Sequence, residues 1–187
     1  MSALSRLIDR SSVRKRGPDL AQLHELIVPV SGVHLLDVGG GAGAATERFA
    51  QGCAKVIVLE PDRRKVAEGR RLRPGIRFEE GRAEKIPFPD ATFDRVTSVV
   101  AFHHMEDQEA ALGEMRRVLK ESGRIVLFEL PPSRAPGPLY RWIAGYRHAG
   151  HMAFQGPDEL MAKVGTGGFT AVSSRAGVTG YFVTGTK

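Results

Sequence analysis

Short apolar runs and amphipathic stretches alternate along the chain. Residues 33–38, Lys55–Glu60 and 93–101 are rich in β-branched and large apolar side chains, as strands buried on both faces should be. Residues 19–28 repeat apolar positions at helical spacing behind Pro18 and stop at Pro29. Residues 44–51 predict a first crossover helix, and Asp62 caps a second that runs to Arg71. Residues 75–79 read as a short third strand. Ala111, Leu112, Met115, Val118 and Leu119 form the apolar stripe of another helix, capped by Asp107 and ended by Gly123. Residues 124–130 make a fifth strand, broken by Pro131-Pro132. A helix over 157–164 and strands over 170–175 and Tyr181–Thr186 follow. The link through Gly177 and Gly180 is too short for a parallel crossover, which needs about a dozen residues, so the last two strands are antiparallel neighbours. The pattern predicts an α/β sheet with helices on both faces.

The richest stretch for chemistry is Leu35-Leu36-Asp37-Val38-Gly39-Gly40-Gly41-Ala42-Gly43, a buried strand entering a glycine-dense turn before a helix. Glycine permits positive φ and lets a ligand approach the main chain without meeting a Cβ. Such a turn is also found as a plain tight turn. A second feature supports a nucleotide-like cofactor: Val56-Ile57-Val58-Leu59 ends in Glu60, about twenty residues on, where a carboxylate can accept both hydroxyls of a ribose. Asp37 argues against a pyrophosphate nearby, because an uncompensated carboxylate repels phosphate, whereas cationic groups would welcome it. The alternative is an Asp37 that bonds its own turn.

Length and composition narrow the class. The 187 residues fit one domain with a sizeable core, and that domain includes a basic N-terminal arm and helix over residues 1–30. No apolar run approaches the ~20 residues of a membrane span, and no secretory apolar segment opens the chain, so a cytoplasmic protein is expected. Cys53 is the only cysteine, which excludes an internal disulfide and a cysteine-based metal site. The net charge of +6 concentrates in Arg10, Arg14, Lys15 and Arg16 and in Arg63, Arg64, Lys65, Arg70, Arg71 and Arg73. No aromatic residues interleave with these clusters, so a solvated helix face is preferred over nucleic-acid binding, although an anionic substrate remains compatible.

Asp37, Gly39, Gly41 and Gly43 spell D-x-G-x-G-x-G, which resembles the first motif of the class I S-adenosylmethionine (SAM) dependent methyltransferases. Residues 81–94, Gly81-Arg82-Ala83-Glu84-Lys85-Ile86-Pro87-Phe88-Pro89-Asp90-Ala91-Thr92-Phe93-Asp94, resemble the stretch G-D-A-E-x-L-P-F-x-D-x-x-F-D of the UbiE-like small-molecule branch. Arg116-Arg117-Val118-Leu119-Lys120-Glu121-Ser122-Gly123 is similar to R-x-L-K-P-G-G, with Glu121 and Ser122 replacing Pro-Gly in a turn. The resemblance covers residues 33–130 in motif detail. It implies a doubly wound, Rossmann-like, mostly parallel seven-stranded sheet of order 3-2-1-4-5-7-6 with an antiparallel C-terminal hairpin.

It further implies that SAM is the cofactor and S-adenosylhomocysteine the product. Asp37 and the loop with Gly39, Gly40, Gly41 and Gly43 would hold the methionine end, and Glu60 the ribose. Asp62, Ala83 and Glu84 would border the adenine, with Pro61, Arg82, Ala101 and Phe102 also beside the cofactor. Arg82 replaces the family's aspartate, and arginine only donates, so that side-chain bond to the adenine amino group is lost. His103 and His104 follow the fourth strand, where ligands of parallel sheets sit. His103 is a candidate base for the methyl acceptor, or the pair shapes the pocket and bonds local backbone. No metal site is expected from two adjacent histidines. Residues 131–156 concentrate Tyr140, Trp142, Tyr146, His148, His151, Met152 and Phe154 and form a candidate substrate wall, or 139–147 is an amphipathic helix packed on the domain. Three functions follow: a methyltransferase acting on a small-molecule acceptor, an RNA or protein methyltransferase, and a non-catalytic SAM-binding partner subunit. The absence of an N-P-P-Y-like motif after the fourth strand opposes the second.

Overall fold

The computed structural model describes residues 14–27, 32–134 and 153–187. Helix α1 (Gly17–Ile27) leads into β1 (His34–Val38), the short α2 (Thr46–Phe49), β2 (Lys55–Glu60), α3 (Arg63–Leu72) and β3 (Arg77–Glu80). Then come β4 (Phe93–Val99), a 3-10 turn at Phe102–His104, α4 (Gln108–Val118), β5 (Leu119–Glu129), α5 (Pro157–Thr166), β6 (Thr170–Ala176) and β7 (Tyr181–Thr186). The strands form one seven-stranded sheet in the order β3-β2-β1-β4-β5-β7-β6. β7 runs antiparallel to both of its neighbours, while β1 to β5 pair in parallel. The predicted fold class and strand order are those observed.

Alternation along the parallel strands supplies two cores. Leu36, Val38, Val96, Ile125 and Leu127 pack against the α4 stripe of Ala111, Leu112, Met115 and Val118 and against Leu160 and Val164 of α5. On the opposite face, Leu35, Val126, Phe128 and Phe182 meet Leu20, Leu23 and Ile27 of α1 and Phe49 of α2. α1 is also anchored by a charge. Buried Asp19 accepts the backbone N–H groups of Val178 and Thr179 at 2.6 and 3.0 Å and the Thr179 hydroxyl, clamping the helix to the β6–β7 turn.

Several boundaries differ from the sequence expectation. α2 is one turn long rather than spanning 44–51, because Gly43 still sits in the left-handed region (φ +81°) and the loop uses the residues that precede Thr46. α4 ends at Val118 rather than at Gly123, and Leu119 already pairs with Phe93. Leu119 fits the helical stripe and a buried strand position equally, so periodicity could not separate them. Ser122 then turns through φ +62°, and the register resumes at Arg95 and Arg124. β4 stops at Val99 because Val100 adopts φ +52°, an unusual conformation for a β-branched residue, which swings the chain into the 3-10 turn.

Candidate active site

The carboxyl ends of β1, β2 and β4 meet at the glycine loop, where Gly39 N–H donates to the Leu59 carbonyl and Ala101 abuts Gly39. Gly39 and Gly41 have φ of +78° and +62°. Each loop glycine answers a different demand. A Cβ on Gly39 would lie 2.6 Å from the Ala101 Cβ, one on Gly40 would lie 2.5 Å from Asp37 Oδ2, and one on Gly43 would lie 2.8 Å from Phe78 Cζ. Those three are required by the protein's own packing. Among the described residues, a Cβ on Gly41 would meet nothing nearer than Lys65 Cδ at 4.0 Å, so Gly41 faces open space there.

Glu60 closes one side of that space. Its side chain is 5% exposed, Oε2 accepts Gly41 N–H at 3.0 Å, and Oε1 accepts Asp62 N–H at 3.2 Å. Each carboxylate oxygen keeps a further lone pair for a hydroxyl. Beneath the loop, Asp37 is fully buried and accepts the Thr46 hydroxyl at 2.6 Å and the Thr97 hydroxyl at 3.0 Å. Burial raises its pKa to about 6; the two hydroxyls pull the other way, and Glu60's charge adds to the rise. The sequence expectation put Asp37 in contact with the cofactor's methionine end, whereas its oxygens are committed to two threonines.

The 82–90 segment forms a second wall. Ala83 is buried, and Glu84 accepts the backbone N–H groups of Glu106 and Asp107. Arg82 turns outward to Glu84 and Glu106. Arg117 staples the segment from α4: it donates to the carbonyls of Ile86 and Phe88 and to Glu114 and Asp90. Pro61 is exposed, and Asp62 caps α3 by accepting Arg64 N–H. Arg117→Leu is expected to destabilise the fold by about 2–3 kcal/mol in urea titrations, because two carbonyls and Glu114 lose a charge-assisted donor.

At the end of β4, Ala101 abuts Gly39 and Phe102 is fully buried. His103 is 3% exposed, and its Nδ1 lies 2.6 Å from Glu129 Oε2. Glu129 Oε1 accepts Phe102 N–H at 2.8 Å. The His103 ring stacks on Phe154 at 4.1 Å, with His104 at the same centroid distance and tilted. Three bonds hold the strap at 153–155: Ala153 N–H to the His103 carbonyl, the Tyr181 hydroxyl to the Gln155 carbonyl, and Gln155 Nε2 to Gln108 Oε1. Burial, then the charges of Glu129 and Glu159, push the Tyr181 phenol up, so it remains a donor.

Residues 36–127 match the family profile described as a methyltransferase domain. A demethylmenaquinone methyltransferase of Thermus thermophilus is 38% identical over 127 residues, covering 57% of this chain and 57% of that protein. The ubiquinone/menaquinone biosynthesis C-methyltransferase UbiE of Paracoccus denitrificans is 34% identical over 125 residues, covering 63% and 49%. Residues 36–127 are a methyltransferase domain, and the matches support a class I SAM-dependent methyltransferase. The chain matches the UbiE-like branch, and the match spans about half the length of those curated relatives. The solved structure of an S-adenosylmethionine dependent methyltransferase from Mesorhizobium loti superposes with a TM-score of 0.74 at 18% identity, covering 92% of this chain and 97% of that one, a likeness of fold.

Within this methyltransferase fold, most residues proposed from sequence fall into four groups. Gly39, Gly40, Gly41, Gly43, Glu60, Ala101 and Phe102 gather at the glycine loop. Ala83 and Glu84 line the neighbouring segment, and His103 and His104 stand behind Ala101. Tyr140, Trp142 and Tyr146, with His148, His151 and Met152, lie outside the described residues, as do the first residues of the basic arm. Sequence reasoning missed Thr46, Thr97 and Glu129. Glu129 carried a usable signal, since Ile125-Val126-Leu127-Phe128-Glu129 is an apolar run ending in a carboxylate, like the run that ends at Glu60. Among the described residues no group of three or more His, Cys, Asp or Glu is placed to hold a metal ion, and no helix is long and apolar enough to cross a membrane.

Proposed function

We propose that the chain transfers a methyl group from SAM to a small-molecule acceptor. The observation that carries this reading is the open cradle at Gly41, the one loop glycine that the described residues leave unfilled, bordered by the buried Glu60 carboxylate. These residues fit the cofactor that the family implies. Glu60 would accept its ribose hydroxyls, and the Gly39 to Gly43 backbone would bear on its methionine end. The Asp37 charge, one layer below, would favour its ammonium and sulfonium. Asp62, Ala83 and Glu84 would frame the adenine, with Pro61 and Arg82 nearby.

When bound, SAM supplies a methyl group already activated on sulfur. The protein's part is then alignment: holding the acceptor in line behind the methyl carbon can account for ~7–11 kcal/mol of the barrier. His103 is the candidate base, and His104, with Tyr140, Trp142 and Tyr146, would contribute to the acceptor pocket. The acceptor is read as small because the matched relatives are named for quinone biosynthesis and no aromatic residues accompany the basic clusters. The protein is read as cytoplasmic. Methyl-labelled SAM incubated with the protein and with small-molecule, RNA and protein fractions of a cell extract tests the reading. Label in the small-molecule fraction is expected; label confined to RNA or protein would overturn it.

A further inference from the structure

We infer that Arg73 is a positioning residue for the second half of the glycine loop, and that the cofactor site divides into two separable halves. A methionine half depends on Arg73, and a nucleoside half depends on Glu60. The inference rests on the methyl-transfer reading and deepens it. In the sequence Arg73 belongs to a basic run that reads as a solvated helix face, but the structure sets it apart from that run. It is the residue at which α3 ends, its N–H still bonded to the Gly69 carbonyl at 2.8 Å, and its side chain is only 15% exposed. Nη1 donates to the Ala42 carbonyl at 2.8 Å and Nε to Glu47 Oε2 at 3.1 Å. Arg73 Cδ lies 3.2 Å from where a Cβ on Gly43 would be, so the stem of the side chain packs on the loop as well.

Ala42 needs that donor because of the loop's own shape. Gly43 sits at φ +81°, and no described backbone N–H reaches the Ala42 carbonyl, whereas Glu47 N–H bonds to the Gly43 carbonyl beside it at 2.9 Å. Ala42 is 8% exposed, and a carbonyl turned away from water without a donor is costly, so the guanidinium satisfies what the backbone leaves over. The first half of the loop is held differently. Gly39 N–H donates to the Leu59 carbonyl at 2.8 Å and Gly41 N–H to Glu60 Oε2 at 3.0 Å, both at the end of β2. Glu60 in turn accepts Asp62 N–H and stands 3.6 Å from Lys65 Nζ, and none of these contacts passes through Arg73. Removing the guanidinium therefore releases residues 42–45 while the carboxylate assigned to the ribose stays in place. S-adenosylhomocysteine presents both a methionine end and a nucleoside; adenosine presents the nucleoside alone.

The test is an NMR titration of the full chain with S-adenosylhomocysteine and, separately, with adenosine. Arg73→Met keeps a stem packed on Gly43 and removes the donors. It is expected to weaken S-adenosylhomocysteine binding by about tenfold or more, while adenosine affinity stays within about threefold of wild type. Arg73→Lys keeps a cationic donor without the fork, so it should lose less S-adenosylhomocysteine affinity and again spare adenosine. It carries the comparison if a thermal melt shows that Arg73→Met does not fold. A residue that only braced the fold would weaken both ligands together. Equal losses for the two ligands, undiminished S-adenosylhomocysteine affinity in folded Arg73→Met, or a wild-type protein that takes S-adenosylhomocysteine but no adenosine would each overturn the inference and leave the methyl-transfer reading standing. Failure of the wild-type protein to bind S-adenosylhomocysteine would overturn both.

Discussion

Gly41→Asn is expected to weaken SAM binding by at least about 100-fold, or roughly 2.7 kcal/mol, while leaving the protein folded. The loop's other glycines cannot give so clean a result. A side chain at Gly39 strikes Ala101, at Gly40 strikes Asp37 and at Gly43 strikes Phe78, so the loss of binding there would be indistinguishable from collapse of the loop. At Gly41 the added Cβ meets no atom of the described residues nearer than 4.0 Å, so a substituent projects into the space assigned to the cofactor. The backbone demand is φ +62°, which asparagine adopts far more readily than most side chains. Gly41→Val would fill the same space but adds a β-branched residue in the left-handed region, at ~1–3 kcal/mol of local strain. Calorimetric titration with SAM, alongside a thermal melt, separates the effects. Undiminished affinity in a folded Gly41→Asn protein would place the cofactor elsewhere.

The same loop shows how far the sequence could be read. The fold was legible because the strands are nearly continuous apolar runs and the β6–β7 link is too short for a crossover, so period and loop length together left one arrangement of the hairpin. Strand order came from resemblance rather than from pattern, since nothing local tells β1 that both β2 and β4 lie beside it. The boundaries that moved are those where one residue suits two states, as Leu119 does. Others lie where the backbone enters the left-handed region at a non-glycine residue, as at Val100 and Ser122, which composition does not announce. At the site, the glycines and Glu60 stood out because their spacing is local. The partners of Asp37 and His103 did not, because Thr97 and Glu129 come from other strands and meet them only when the sheet is assembled.

Asp37→Asn should stabilise the protein while weakening its hold on a cationic cofactor. Asp37 has no exposed surface, and the donors it accepts are two neutral hydroxyls, so ionising it is opposed by burial first and by Glu60 as well. Its folded pKa of about 6 lies above the ordinary aspartate value of 3.8. A raised folded pKa means that the native state binds the proton more tightly than the unfolded chain, so the associated stability is fully present below about pH 4. It is lost as pH rises through about 6. The rise from 3.8 to about 6 corresponds to about 3 kcal/mol at neutral pH, an upper bound for what asparagine would recover. Urea titrations should therefore show Asp37→Asn gaining about 1–3 kcal/mol over wild type at pH 8 and much less at pH 4. Binding should respond in the opposite sense. A ligand carrying positive charge above Gly40 favours the ionised carboxylate, so wild-type SAM affinity should fall as pH drops through about 6. The variant should bind roughly tenfold more weakly at neutral pH, with that part of the pH dependence removed. Equal affinities and identical pH profiles would show that Asp37 only braces the loop through Thr46 and Thr97. A stability gain accompanied by weaker binding would mean that the fold keeps a costly buried charge for the cofactor it holds.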